Sequence, residues 1–143
     1  MNTPGYEYYY EDDELVRDPN TYLNKTPLEM VTQFARTYKQ SVNLPWMKDT
    51  RHDLLRLMLV KEEYAELLSA TDEENLIKEL ADLVYVTYGY AATFGWNLDE
   101  AVRRVHASNM SKLDEDGQPI FREDGKVLKG PNYKEPYLED LKQ

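Results

Sequence analysis

A chain of 143 residues is the size of one ordinary domain, with enough length to bury a core. It has no cysteine, which excludes disulfides, thiolate metal sites and a cysteine nucleophile. Its 27 acidic residues outweigh 17 basic ones, for a net charge of −10. That balance argues against a nucleic-acid polymer as partner, yet it admits a small phosphorylated ligand if divalent cations invert the local sign.

Residues 1–25 are dense in Tyr, Asp and Glu, as in Tyr6-Glu7-Tyr8-Tyr9-Tyr10-Glu11-Asp12-Asp13-Glu14, and read as an extension that is flexible or drapes over a neighbouring surface. The segment has neither the basic start nor the apolar stretch of a leader. No later run approaches membrane-spanning length. A cytoplasmic protein without membrane contact is expected. One domain then fills residues 26–143. Thr26 as N-cap and Pro27 as first residue start a helix whose apolar positions recur at Leu28, Val31, Phe34 (or Ala35) and Tyr38 until Asn43-Leu44-Pro45. A second helix is predicted over about His52–Ala70, followed by a capping box pairing Thr71 with Glu74. The third carries Leu76, Leu80, Leu83, Val84 and Thr87 and ends near Gly95, with Gly89 placed to allow close packing. Asn97 and Glu100 open a fourth that reaches about Lys112. Beyond it, Asp124-Gly125 between Pro119–Arg122 and Lys126–Lys129 predicts a β-hairpin, followed by an extended tail. A lone hairpin is marginal in water and needs the helices or a second subunit to pack on.

Two acidic pairs carry the chemistry: Glu63 with Glu66 on the second helix, and Glu79 with Asp82 on the third. An i,i+3 pair is about 4.5 Å apart along a helix axis and roughly 60° apart around it, so each pair shares one face. The pairs are equally far from the Thr71-Asp72 break. An antiparallel hairpin therefore brings all four carboxylates to a common depth. Oxygen ligands on two rigid elements suit a hard cation such as Mg²⁺. Acidic pairs are commonly solvated helix faces, but with the apolar company here (Ala65, Leu67 and Leu68, then Leu80, Ala81, Leu83 and Val84) partial desolvation is expected. Spacing alone leaves metal ligation and a salt-bridged structure both open. The pairs lack Glu-x-x-His, which counts against a di-iron bundle. His52 and His106 read as surface or packing residues, and Trp46 and Trp96 as core or interface anchors. Asn109 with Lys112, and Lys126 with Lys129, read on their own as solvent-facing; their functional alternative is contact with phosphate oxygens.

The combination resembles the all-α nucleoside triphosphate pyrophosphohydrolases, the superfamily of MazG, dimeric dUTPases and phosphoribosyl-ATP pyrophosphohydrolase. The resemblance rests on Leu59–Leu67 and Lys78–Tyr85, which hold the ExxE and ExxD signature, and on Val105–Leu113 with Gly125–Tyr133, which look like the short, phage-type MazG-like branch. It covers about Thr26 to Leu141. The resemblance implies an all-α bundle of four to five helices with a short C-terminal β-hairpin, completed as a homodimer or homotetramer. It further implies Mg²⁺, with Mn²⁺ as substitute, on Glu63, Glu66, Glu79 and Asp82. Glu62 would assist from behind the ligands or position water, giving Glu62 and Glu63 as the catalytic pair. Asn109 and Lys112, with Lys126 and Lys129, would bind the nucleotide phosphates. The expected reaction is hydrolysis of a (d)NTP at the α–β bond to (d)NMP and pyrophosphate, in nucleotide-pool control, within the host cytoplasm if phage-encoded. Gln33, Phe34 and Trp46 are positional candidates for the base pocket. Two alternatives stand beside it: phosphoribosyl-ATP as substrate, and a non-enzymatic acidic helical adaptor whose carboxylates are surface.

Overall fold

The chain folds into four helices, three of which start on a side-chain cap. In the computed structural model, which describes residues 24–143, these are α1 (Pro27–Thr37), α2 (Arg51–Ser69), α3 (Glu73–Thr93) and α4 (Leu98–Met110). Of the tyrosine-rich extension only Asn24 and Lys25 fall in that span, so the expectation for residues 1–23 lies outside the described residues. The start of α1 is as its sequence demands. Thr26 accepts the Glu29 backbone N–H at 3.3 Å, and the Glu29 carboxylate accepts the Thr26 N–H at 3.0 Å. At α3 the cap is Asp72, which accepts the Asn75 N–H at 2.8 Å, and not the expected Thr71. The extended backbone of the N-cap falls at Asp72, whose carboxylate also brings negative charge to the positive end of the helix dipole.

The end of α1 also differs from expectation, because the chain leaves the helix at Thr37, well before Asn43. Lys39 and Asn43 take left-handed backbone conformations, with φ of 56° and 57°. This loop serves α3. The Asn43 and Leu44 N–H groups donate to the carbonyls of Ala92 and Thr93 at 3.1 and 2.8 Å, satisfying acceptors that the end of a helix leaves orphaned. Gly95, with φ of 67°, turns the chain there; a Cβ would meet the Asn43 side-chain oxygen at 2.8 Å. Gly89 is different: a Cβ there makes only ordinary contact with Arg56, so close packing does not require glycine.

α3 is the central element, packed on both α2 and α1, while α4 touches α1. The buried apolar core is small: Ala91, Ala92 and Phe94 at the C-terminal end of α3, with Val31 and Ala35 of α1, which packs on α3. Elsewhere α2 and α3 show large apolar side chains to solvent, including Met58 (55% exposed), Leu68 (69%) and Ile77 (61%). Among the described residues no strand forms. The expected hairpin contracts to one antiparallel bridge, Phe121 with Val127, flanked by Arg122 N–H to Lys126 O and Leu128 N–H to Ile120 O. Both bridge residues are exposed, so no apolar face is covered to extend the pairing. The tail then follows α4: Ser108 Oγ donates to the Lys134 carbonyl at 2.7 Å, and Arg104 pairs with Asp140. No helix among the described residues is long and apolar enough to cross a membrane.

Candidate metal centre

The α2–α3 hairpin brings Glu63, Glu79 and Asp82 together. Each offers one carboxylate oxygen, and these oxygens all lie within 4.8 Å of one another. Glu79 is buried (5% exposed), and Glu63 and Asp82 are half-buried. Oxygens Glu63 Oε2 and Glu79 Oε2 are shut off from solvent with no hydrogen-bond partner among the described residues. A buried anionic oxygen without a partner carries its full desolvation penalty, so these two are acceptors awaiting a donor or a cation. An all-oxygen donor set of negative charge fits a hard divalent ion. Glu66, one turn along α2, is exposed and is not one of the three.

The electrostatics follow from that crowding. Burial pushes the Glu63 carboxyl above the ordinary range, and the negative charges of Glu66, Asp82 and Glu79 push it the same way. One cation answers them. Lys78 Nζ lies 2.8 Å from Asp82 Oδ2 and 3.1 Å from Glu79 Oε1. Its hydrogen bonds to Asp82 and then Glu79 hold the ammonium strongly protonated. The i,i+4 spacing of Lys78 and Asp82 is the one local signal in the sequence for this contact, and it is common to many solvated helix faces.

The remaining sequence candidates sit elsewhere. Glu62 is exposed on α2 beside Glu63. No hydrogen bond or ion pair among the described residues joins Asn109, Lys112, Lys126 or Lys129 to the three carboxylates. Lys112, just past the end of α4, donates its backbone N–H to the Asn109 carbonyl. The Lys126 N–H donates to Asp124, and the Lys129 ammonium stands over the Tyr133 ring at 4.5 Å. Of the base-pocket candidates, Gln33 and Phe34 are exposed on α1, and Phe34 meets Tyr85 edge-on at 5.7 Å.

A second buried carboxylate escaped the sequence analysis. Asp53, 2% exposed in the first turn of α2, accepts from Trp46 Nε1 and from the Asp49 N–H, both at 2.9 Å, and from the Tyr90 hydroxyl. Tyr90 and then Trp46 hold its carboxyl below the usual carboxylate range, while burial and the bond to Asp53 push the Tyr90 phenol up to about 12. Tyr90, Phe94 and Trp96 pack around one another, with Tyr90 stacked on Trp96 at 6.0 Å. The group fastens the loop before α2 to the C-terminal end of α3. Among apolar neighbours, a lone aspartate near a helix start gave no signal beyond favourable charge placement.

The phosphoribosyl-ATP pyrophosphohydrolase family model matches residues 31–109, a stretch that holds all four carboxylates of the two acidic pairs. The chain is also 32% identical over 112 residues, 73% of its length, to the uncharacterized protein L479 of Acanthamoeba polyphaga mimivirus. It spans 42% of that relative's length. With more than half of its residues under the family model, the chain belongs to the phosphoribosyl-ATP pyrophosphohydrolase family of the MazG-like superfamily.

Proposed function

We propose that this protein hydrolyses nucleoside triphosphates, (d)NTPs, between the α and β phosphates, releasing a monophosphate and pyrophosphate with Mg²⁺ as cofactor and Mn²⁺ as its substitute. The observation that carries the reading is the convergence of Glu63, Glu79 and Asp82 with two buried oxygens left unpartnered. These three residues, with Glu66 beside them, would hold the metal. Bound there, a divalent ion supplies charge neutralisation for the polyphosphate and acidifies water. The chain's own residues do the rest. Glu62, exposed on α2 beside the cluster, orients the attacking water and accepts its proton. Asn109 and Lys112 at the end of α4, with Lys126 and Lys129 beyond it, bind phosphate oxygens. No covalent nucleophile is required.

The protein works as a homodimer or homotetramer. Support comes from the many large apolar side chains that α2 and α3 expose, Met58, Leu68 and Ile77 among them. A second substrate reading, phosphoribosyl-ATP, is favoured by the family match and keeps the same class of bond. The test is incubation of the purified chain with Mg²⁺ and a panel of canonical and modified NTPs, dNTPs and phosphoribosyl-ATP, with product identification. Monophosphate and pyrophosphate from a (d)NTP are the expected products, and the ranking of substrates names the base. Orthophosphate release would move the cleavage to another bond. Absence of turnover on every substrate would leave the acidic helical adaptor.

A further inference from the structure

The carboxylates of the metal centre already hold a cation, and it belongs to the chain. Lys78 Nζ bridges Asp82 Oδ2 at 2.8 Å and Glu79 Oε1 at 3.1 Å, and both residues are members of the converging triad. The ammonium therefore contacts two of the three carboxylates that would hold a divalent ion. It also leaves the job unfinished. One positive charge faces three carboxylates, and Glu63 Oε2 and Glu79 Oε2 stay buried without a partner. The lysine side chain is 62% exposed, on a flexible four-carbon stem, so it can withdraw to solvent without disturbing the helix.

We propose that Lys78 is a built-in counter-cation that holds the carboxylates together when metal is absent and is displaced when metal binds. This rests on the metal-centre reading above and adds to it a competitor encoded in the chain. Two consequences follow from the shared carboxylates. The metal-free hairpin is protected from repulsion among its carboxylates. Metal affinity is weaker than the same carboxylates would show alone, because each binding event breaks two ammonium contacts.

Calorimetric titration of the full chain with Mn²⁺ alone, for wild type, Lys78→Met and Lys61→Met, reads the competition directly. Lys61 is an exposed lysine of α2 and serves as the charge control. The expected result is an Mn²⁺ Kd about tenfold lower in Lys78→Met, little change in Lys61→Met, and a lower metal-free Tm for Lys78→Met alone. An unchanged or raised Kd in Lys78→Met overturns the proposal while leaving the metal centre intact. Failure of every protein to bind Mn²⁺ overturns the metal centre and the proposal together. If Lys78→Met does not fold without metal, the wild-type chain supplies the second readout. Acetylation of Lys78 by acetic anhydride, followed by peptide mass spectrometry, should rise severalfold on adding Mg²⁺ while that of Lys61 does not. Equal Lys78 acetylation with and without saturating Mg²⁺ overturns the displacement.

Discussion

The carboxylates sheltered in this hairpin stand in two opposite conditions. Asp53 accepts three hydrogen bonds, from Trp46, Asp49 and Tyr90, and its negative charge is fully used by the fold. Glu79 and Glu63 each keep a buried oxygen with no partner, beside further negative charge. Burial alone does not separate structure from function; satisfaction does. A carboxylate whose acceptors are filled from within the chain is a fastener. One held among like charges with acceptors empty is poised for a ligand, because the fold bears a desolvation cost that only a cation offsets.

The same chemical change at the two places should therefore act in opposite ways. The largest effect is on turnover: Glu63→Gln or Asp82→Asn should abolish pyrophosphate release from a (d)NTP while the far-ultraviolet circular dichroism stays that of the wild type. Near-wild-type activity in either variant would sink the assignment of these residues as ligands. Next in size is the fastener. Asp53→Asn replaces one acceptor oxygen by a donor facing donors, and the metal-free Tm should fall by roughly 5–10 °C. A Tm within a degree of wild type would show that the loop before α2 is held by its aromatic packing instead.

The smallest effect, and the sharpest test of the contrast, is in the pH dependence of metal-free stability. The Glu63 carboxyl is raised above its ordinary value of 4.5, so the folded chain binds more protons than the unfolded one just above that pH. Stability from this residue is accordingly lost as pH rises from 4.5 through the raised value. The Asp53 carboxyl is lowered from 3.8, and its stabilisation is present above that pH and lost as pH falls through the lowered value. Scanning Tm against pH should show Glu63→Gln removing the decline above 4.5, and Asp53→Asn removing the acid-side one. Saturating Mg²⁺ should flatten the first and leave the second. The same response to Mg²⁺ in both limbs would erase the distinction between the two sites.

Much of this architecture was legible residue by residue. Thr26, Pro27 and Glu29 announce the start of α1, Gly95 marks the end of α3, and Asn97 caps α4 by accepting the Glu100 N–H at 3.1 Å. Caps and helical periodicity are local, so neighbours in sequence suffice to read them. The hairpin around Asp124-Gly125 was overread for a related reason. The turn is local and forms, but strand pairing needs a covered apolar face, which Phe121 and Val127 do not have. The Thr71 cap was misread because Thr71 and Asp72 are both competent, and the backbone's extended geometry falls at Asp72.

The sequence by itself determined that two helices carry acidic pairs equidistant from a turn, and that the donor atoms are hard oxygens. An i,i+3 spacing and a count of residues to a break are enough for that. Only the tertiary structure decided which carboxylates converge, which of their oxygens go unpartnered, and that Lys78 bridges two of them. It also decided that Asp53, silent in the sequence, is bound by Tyr90, 37 residues away. The reason is one of range. Helix identity depends on interactions within a turn or two, whereas burial and the pairing of charges depend on what distant segments bring into contact.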